Sequence, residues 1–154
     1  MRFEQYQMIK KHALAACGQK LTLKDPTQLN PVILAYIGDV VFSLYVRLRL
    51  IPTSGQVRVV HDLGAKIVSA VMQAKAMDAL ETELDAEELA VAKRGRNTKS
   101  TVPKSASVRE YRQGTAFEAL VGYLFLMDKE ARLEQILDKS FAYIQAVMQE
   151  ERGK

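Results

Sequence analysis

Along most of this chain apolar residues recur at helical spacing, and no run of alternating strand residues stands out. The spacing predicts an all-α fold of about six to seven helices. A first helix is expected over 3–16, with Phe3, Tyr6, Ile9, Ala13 and Ala16 in phase and Gly18 as its stop. After the turn Lys24-Asp25-Pro26-Thr27, Asn30 is a favoured N-cap and Pro31 a favoured first helical residue. A second helix should therefore run to about Leu50, where Pro52 closes it. A third helical stretch is expected over about 56–80, broken near Gly64, with Ile67, Val68, Val71, Ala74 and Ala79 facing the core. Asp85 followed by Glu88 is an N-terminal capping signature for a short helix through Arg94, stopped by Gly95. Asn97, Ser100, Pro103 and Ser105 make 96–107 a loop by composition. Helices over about 108–127 and 129–150 follow, the last capped by Asp128 and striped by Leu133, Ile136, Leu137, Phe141, Ile144 and Val147.

Two of these helices are apolar around most of their circumference. From Pro31 to Leu50 the only acid is Asp39, which lies on one face with Ser43 and Arg47. A helix so apolar must be central, or shared with a partner subunit. From Thr115 to Met127 every residue is apolar or small except Glu118. An ionised carboxylate in such surroundings needs a compensating cation, because its desolvation costs several kcal/mol. Gly38 adjoins Asp39, and Gly122 lies one turn after Glu118 on its face. Mid-helix glycines cost roughly 1 kcal/mol each against alanine, which points to close approach of backbones. A crossing at these glycines would bring Asp39 and Glu118 together as hard oxygen ligands for Mg²⁺. The alternative is ordinary pairing, of Asp39 with Arg47 and of Glu118 with Arg112 or Lys104.

Charge narrows the partners. The 154 residues carry a net +4, but residues 93–112 alone hold seven Lys/Arg and one acid, a net +6 against −2 for the remainder. That is the distribution expected of a polyanion-binding strip on a neutral body. Just before it, 78–88 holds six acids and no base. One cysteine and two histidines exclude an intramolecular disulfide and a cysteine/histidine zinc cage. Cys17 is expected to be a small buried apolar residue, His61 to be structural or on the surface, and Tyr36, Phe42, Tyr45, Tyr123 and Phe125 to lie in the core. No secretory h-region or long apolar span is read in the sequence, so the expectation is a cytoplasmic protein without a membrane role.

Three blocks of residues carry a family resemblance. LAYIGDVVFSLYVR (34–47) is similar to the signature helix of ribonuclease III catalytic domains in the form typical of the Mini-III ribonucleases. KRGRNTKS (93–100) and YRQGTAFEALVGYLFL (111–126) resemble the family's other two blocks, in the family's order. The resemblance implies a helical ribonuclease III endonuclease-domain fold over 26–150, preceded by a helical extension over 1–25 and without the double-stranded RNA-binding domain. It also implies a homodimer and a Mg²⁺-dependent endoribonuclease that cuts double-stranded RNA to 5′-phosphate and 3′-hydroxyl ends. The suggested substrate is the precursor of 23S ribosomal RNA, with a large-subunit ribosomal protein as a further partner.

On that resemblance Asp39 and Glu118 are the catalytic metal ligands. The wider family has two more acids, at the positions of Ala35 and Thr115 here. Thr115 is left to hydrogen-bond a ligand water. Lys93, Arg94, Arg96 and Lys99 are expected on RNA phosphates, with Asn97 and Ser100 as hydroxyl partners, and Lys104, Arg109 and Arg112 extend the strip. The missing acids keep a second reading open, a non-catalytic RNA-binding or ribosome-assembly module on the same scaffold.

Overall fold

The computed structural model describes residues 3–17, 25–99 and 101–153, so Gly18, Lys24 and Ser100 lie outside the described residues. The described residues form seven α-helices and no strand: α1 Phe3–Ala16, α2 Pro31–Leu50, α3 Val57–Ile67, α4 Ala70–Leu80, α5 Ala86–Arg96, α6 Val108–Leu126 and α7 Glu130–Arg152. Short 3-10 turns stand at Pro26–Gln28, Ile51–Thr53 and Glu81–Glu83.

The expected caps hold at α2 and α5. Asn30 accepts from Val32 N, with Pro31 in the first turn. Asp85 and Glu88 bond reciprocally to each other's backbone N–H. Three expected boundaries move. The third helical stretch breaks at Ser69, whose hydroxyl caps Met72 N, while Gly64 stays inside α3 beside Leu50. Gly95 lies within α5, which continues to Arg96. Asp128 is not the cap of α7 but the left-handed residue, φ 54°, that ends α6 as Lys129 N reaches back to Leu124 O.

α6 is the central helix. α2, α4 and α5 pack directly on it, and α7 closes over α4 and α6. This explains a sequence with no polar stripe between Ala116 and Leu124: Ala116, Phe117, Ala119, Leu120, Val121, Tyr123 and Leu124 are all inaccessible. Such packing needs small residues at the crossings. At Gly38 a Cβ would lie 1.8 Å from the Glu118 carbonyl oxygen, and at Gly122 it would lie 1.9 Å from the Leu34 carbonyl oxygen. α2 and α6 thus touch backbone to backbone. Phe42 and Phe117 lock edge to face beside the crossing, their centroids 4.9 Å apart. On the other flank a Cβ at Gly95 would lie 2.9 Å from Ala119 Cβ, so α5 also rests closely on α6.

α2 is long and apolar enough to cross a membrane by length and composition. Here its inner line of Leu34, Ala35, Phe42, Val46 and Leu50 belongs to the core. Its outer line of Val32, Ile33, Tyr36, Val40, Leu44, Leu48 and Ile51 is exposed. The described side chains of α1 are all exposed, as is Cys17. The expectation of a buried cysteine therefore fails: Cys17 stands in the turn after α1, where the described side chains face solvent. Two aromatics move outward for a similar reason. Tyr36 is 73% exposed on the outer line of α2 and Phe125 is 49% exposed where α6 ends, whereas Phe42 and Tyr123 are buried.

Because both glycine contacts are with backbone atoms, no side chain can yield to an added methyl. Gly122→Ala should cost about 3 kcal/mol or more, lowering Tm by roughly 6 °C or more in thermal unfolding followed by circular dichroism.

Candidate active site

The α2–α6 crossing fixes where the two isolated acids go. Asp39 follows Gly38, and Glu118 is the residue whose carbonyl receives that glycine. Their carboxyl groups come within hydrogen-bonding and Coulombic reach of one another. Asp39 is exposed at the rim of the crossing, and Glu118 is recessed behind it.

No base offsets them. Among the described residues the ion pairs are Arg49–Asp138, Arg58–Asp62, Lys75–Glu151, Arg96–Glu81, Arg109–Asp78, Lys129–Glu87, Arg132–Glu88 and Lys139–Glu83. Asp39 does not pair with Arg47, nor Glu118 with Arg112 or Lys104. The contrast with Glu88 is informative. That acid is 1% exposed, is held by the Arg132 guanidinium at 2.7 and 2.8 Å, and titrates below the usual carboxylate range because of it. Glu118 is pushed up to about 7, first by burial and then by the negative charge of Asp39. The buried amide of Gln73 pulls the other way, although its Nε2 stops short of a complete hydrogen bond.

Two facing carboxylates fit one kind of group best. Hard oxygen donors, with room left for water and a phosphate, match Mg²⁺, which commonly takes only one or two protein carboxylates. No third acid, histidine or cysteine joins them among the described residues. Ala35 is buried in the core and Thr115 stands one turn before Glu118. Thr115 Oγ1 donates to the Tyr111 carbonyl at 3.0 Å, so toward a ligand water it offers only lone pairs.

The basic strip divides in space. The acidic run folds back on part of it: Arg96 pairs with Glu81 at 2.9 Å, and Arg109 grips both Asp78 oxygens at 3.0 Å. Arg94 donates to the carbonyls of Thr27 and Leu29, tying the C-terminal end of α5 to the turn before α2. Lys93, Lys99, Lys104 and Arg112 remain exposed with no ion pair among the described residues, and Asn97 is exposed beside them. His61, on the surface as expected, lines an apolar groove of about 570 Å³ between α2 and α3 whose lining includes neither Asp39 nor Glu118. Sequence reasoning missed Gln73, a polar residue that no motif marks inside an apolar helix.

Residues 33–129 match the family described as Ribonuclease III domain. A Mini-ribonuclease 3 of Clostridium tetani is 40% identical over 123 residues, 78% of this chain and 82% of that one. A Mini-ribonuclease 3 of Brevibacillus brevis is 43% identical over 125 residues, 79% and 92% of the two chains. An X-ray structure of a protein from Fusobacterium nucleatum superposes with a TM-score of 0.69 at 27% identity, covering 72% of this chain and 92% of that one.

The raised Glu118 has a consequence for stability. Its folded value of about 7 exceeds the ordinary 4.5, so the folded state holds this proton more tightly than the unfolded chain. The resulting stabilisation is complete below about 4.5 and is lost as pH rises through 7. A shift from 4.5 to about 7 corresponds to at most roughly 3 kcal/mol. In EDTA, Glu118→Gln should therefore melt several degrees above the wild type at pH 8.5 and level with it at pH 4.5; equal Tm values at both pH values would refute the strain assigned to this pair.

Proposed function

The chain belongs to the ribonuclease III domain family and is, with its Mini-ribonuclease 3 relatives, an endoribonuclease, and from that membership we propose that it cuts double-stranded RNA with Mg²⁺ held by Asp39 and Glu118. The observation that carries this reading is the pair of facing carboxylates without a counter-charge among the described residues, in a chain that neutralises its buried Glu88 with Arg132. When bound, the metal supplies a Lewis acid that lowers the pKa of water and offsets charge building on the scissile phosphate. The residues do the placing. Asp39 reaches out at the rim, and Glu118, recessed and released from its proton, supplies the second carboxylate. The expected products carry 5′-phosphate and 3′-hydroxyl ends.

A grip on duplex RNA comes chiefly through phosphates and 2′-hydroxyls. Lys93, Lys99, Lys104 and Arg112 are the exposed cations for it, with Asn97 as a polar partner and Ser100 next in sequence. Arg94, also exposed, and Arg96 brace this surface, since their guanidinium groups are bonded within the chain. The exposed apolar line of α2 supports a homodimer: water would not retain six large apolar side chains on one helix face without a partner surface. Asp39 lies on the same helix, so a two-fold pair would carry one site for each strand of a duplex. We assign the enzyme to the cytoplasm and to maturation of the 23S ribosomal RNA precursor, with a large-subunit ribosomal protein presenting that RNA.

The decisive test is cleavage of a long duplex RNA and of precursor ribosomal RNA, in Mg²⁺ or EDTA, by the wild type, Asp39→Asn and Glu118→Gln. Only the wild type in Mg²⁺ should cut. A wild type that binds these RNAs in every divalent ion but never cuts them would instead make the fold an assembly module, with Ala35 and Thr115 the mark of lost chemistry. The surface assignment is checked by salt. With four cations on phosphates, affinity should fall roughly 10²-fold between 50 and 200 mM salt, taking the duplex-DNA slope as guide. Lys93→Ala with Lys99→Ala should about halve that slope, and an unchanged slope removes both from the interface.

A further inference from the structure

We propose that Gln73 is a positioning residue of the active site: its buried side-chain amide, carried by α4, holds one oxygen of Glu118 and leaves the other to face Asp39 and the cation. The inference rests on the metal-site reading above and names the residue that completes the site where the family's other acids are missing.

Four polar or charged residues are buried among the described ones: Gln73, Glu88, Gln113 and Ser140. The last three each donate to or accept from a partner, although Gln113 Oε1 is left without one. Glu88 is held by Arg132, Gln113 donates to Asp78 at 2.6 Å, and Ser140 donates to the Ile136 carbonyl at 2.6 Å. Gln73 is 2% exposed, and its Nε2 completes no hydrogen bond. A buried amide nitrogen without a partner calls for a reason, since Met or Leu would fill the same volume without it.

Its placement supplies the reason. Gln73 lies across one turn of α6, between Gly114 and Glu118. A Cβ at Gly114 would stand 3.3 Å from Gln73 Oε1, so the glycine leaves room for the oxygen end of the amide. The nitrogen end is turned toward Glu118. The reverse orientation would set an amide oxygen against carboxylate oxygens, acceptor against acceptor, which fixes the assignment chemically. Neither Thr115 nor Asp39 can do this work. Thr115 has given its hydroxyl hydrogen to Tyr111 O, and Asp39 faces Glu118 with a second carboxylate.

A carboxylate that ligates a metal is itself usually held by a hydrogen bond from behind, and losing that bond commonly costs 10- to 100-fold in metal affinity or activity. With two acids at the site, the orientation of each matters more than in a four-acid cluster. Gln73 touches neither substrate nor metal in this scheme and acts through Glu118.

The test uses the full chain, with Mn²⁺ as the probe. Gln73→Met keeps the length and volume of the side chain but removes the N–H. Its Mn²⁺ dissociation constant, measured by calorimetry or electron paramagnetic resonance, should rise at least about 10-fold. The Tm in EDTA should stay level or rise, and kcat should fall with KM for duplex RNA unchanged. A variant that binds Mn²⁺ as the wild type does, whatever its Tm, overturns the positioning role. If instead the wild type itself takes up no Mn²⁺, or Asp39→Asn takes it up equally, the metal site fails and not the role of Gln73 within it. Should Gln73→Met not fold, the wild type still decides. The assigned Gln73 side-chain amide resonance should shift along the Mg²⁺ saturation curve, and a stationary resonance would overturn the proposal.

Discussion

Everything in this molecule is arranged around the backbone contact of α2 with α6. Two glycines that face each other's helices remove the side-chain layer normally separating two helix axes, so the peptide groups of 34–38 and 118–122 lie against one another. Helix pairs packed through side chains leave their flanking residues an extra layer apart. Here residues that flank the glycines are forced together, and the residues that flank them are Asp39 and Glu118. The crossing is thus both a backbone-to-backbone contact and the device that presses two like charges into one place. Stability and chemistry draw on the same few atoms in opposite senses: the packing holds the helices close, and the carboxylates resist that closeness whenever both are ionised.

How the chain treats its other charges makes this resistance meaningful. Glu88, buried under α7, is held by Arg132 on two oxygens, while Asp138 is met by both Tyr45 and Arg49. Five of the six acids of 78–88 find bases, on α5, α6, α7 and at Lys129. Against that background a carboxylate pair without a base is a deliberate asymmetry, and the raised Glu118 is its electrostatic signature. The same folding-back thins the basic strip. Read linearly, 93–112 carries +6; folded, Arg96 and Arg109 have acids beside them and Arg94 is tied to backbone carbonyls, so the exposed positive surface is narrower and centred on lysines.

The features legible in the sequence are those set by local rules. Asn30-Pro31, the Asp85/Glu88 box and the 3.6-residue pattern dictate where α2 and α5 start, because a cap acts within three residues of itself. The crossing was legible too, since a mid-helix glycine is costly unless another backbone lies near. Glycine is ambiguous elsewhere for the same reason. Gly64 and Gly95 read equally well as stops, and only tertiary contact shows that they accommodate Leu50 and α6, while Ser69 and Asp128 take the local roles. The outward turn of Tyr36 and Phe125 was hidden because an apolar stripe does not say which partner it faces. Gln73 was hidden more deeply. One amide inside an apolar helix carries no spacing signal, and its meaning appears only when α4 is laid against α6.

The uneven burial of α2 ties these threads together. Its inner face must be apolar to cross α6, and a monomer would gain by making the outer face polar, since a helix on the surface of a soluble protein normally carries a polar stripe there. It does not: Tyr36, Val40, Leu44 and Leu48 continue outward on the helix that also carries Asp39. A helix apolar on both faces, with a single acid at the boundary between them, is under two packing demands at once. The inner one brings Glu118 to Asp39. The outer one is met when a second copy covers it, and such a contact would set the distance between two copies of the carboxylate pair. One helix would then fix both the composition of each site and the spacing between sites, which is the geometry that an enzyme cutting both strands of a duplex requires.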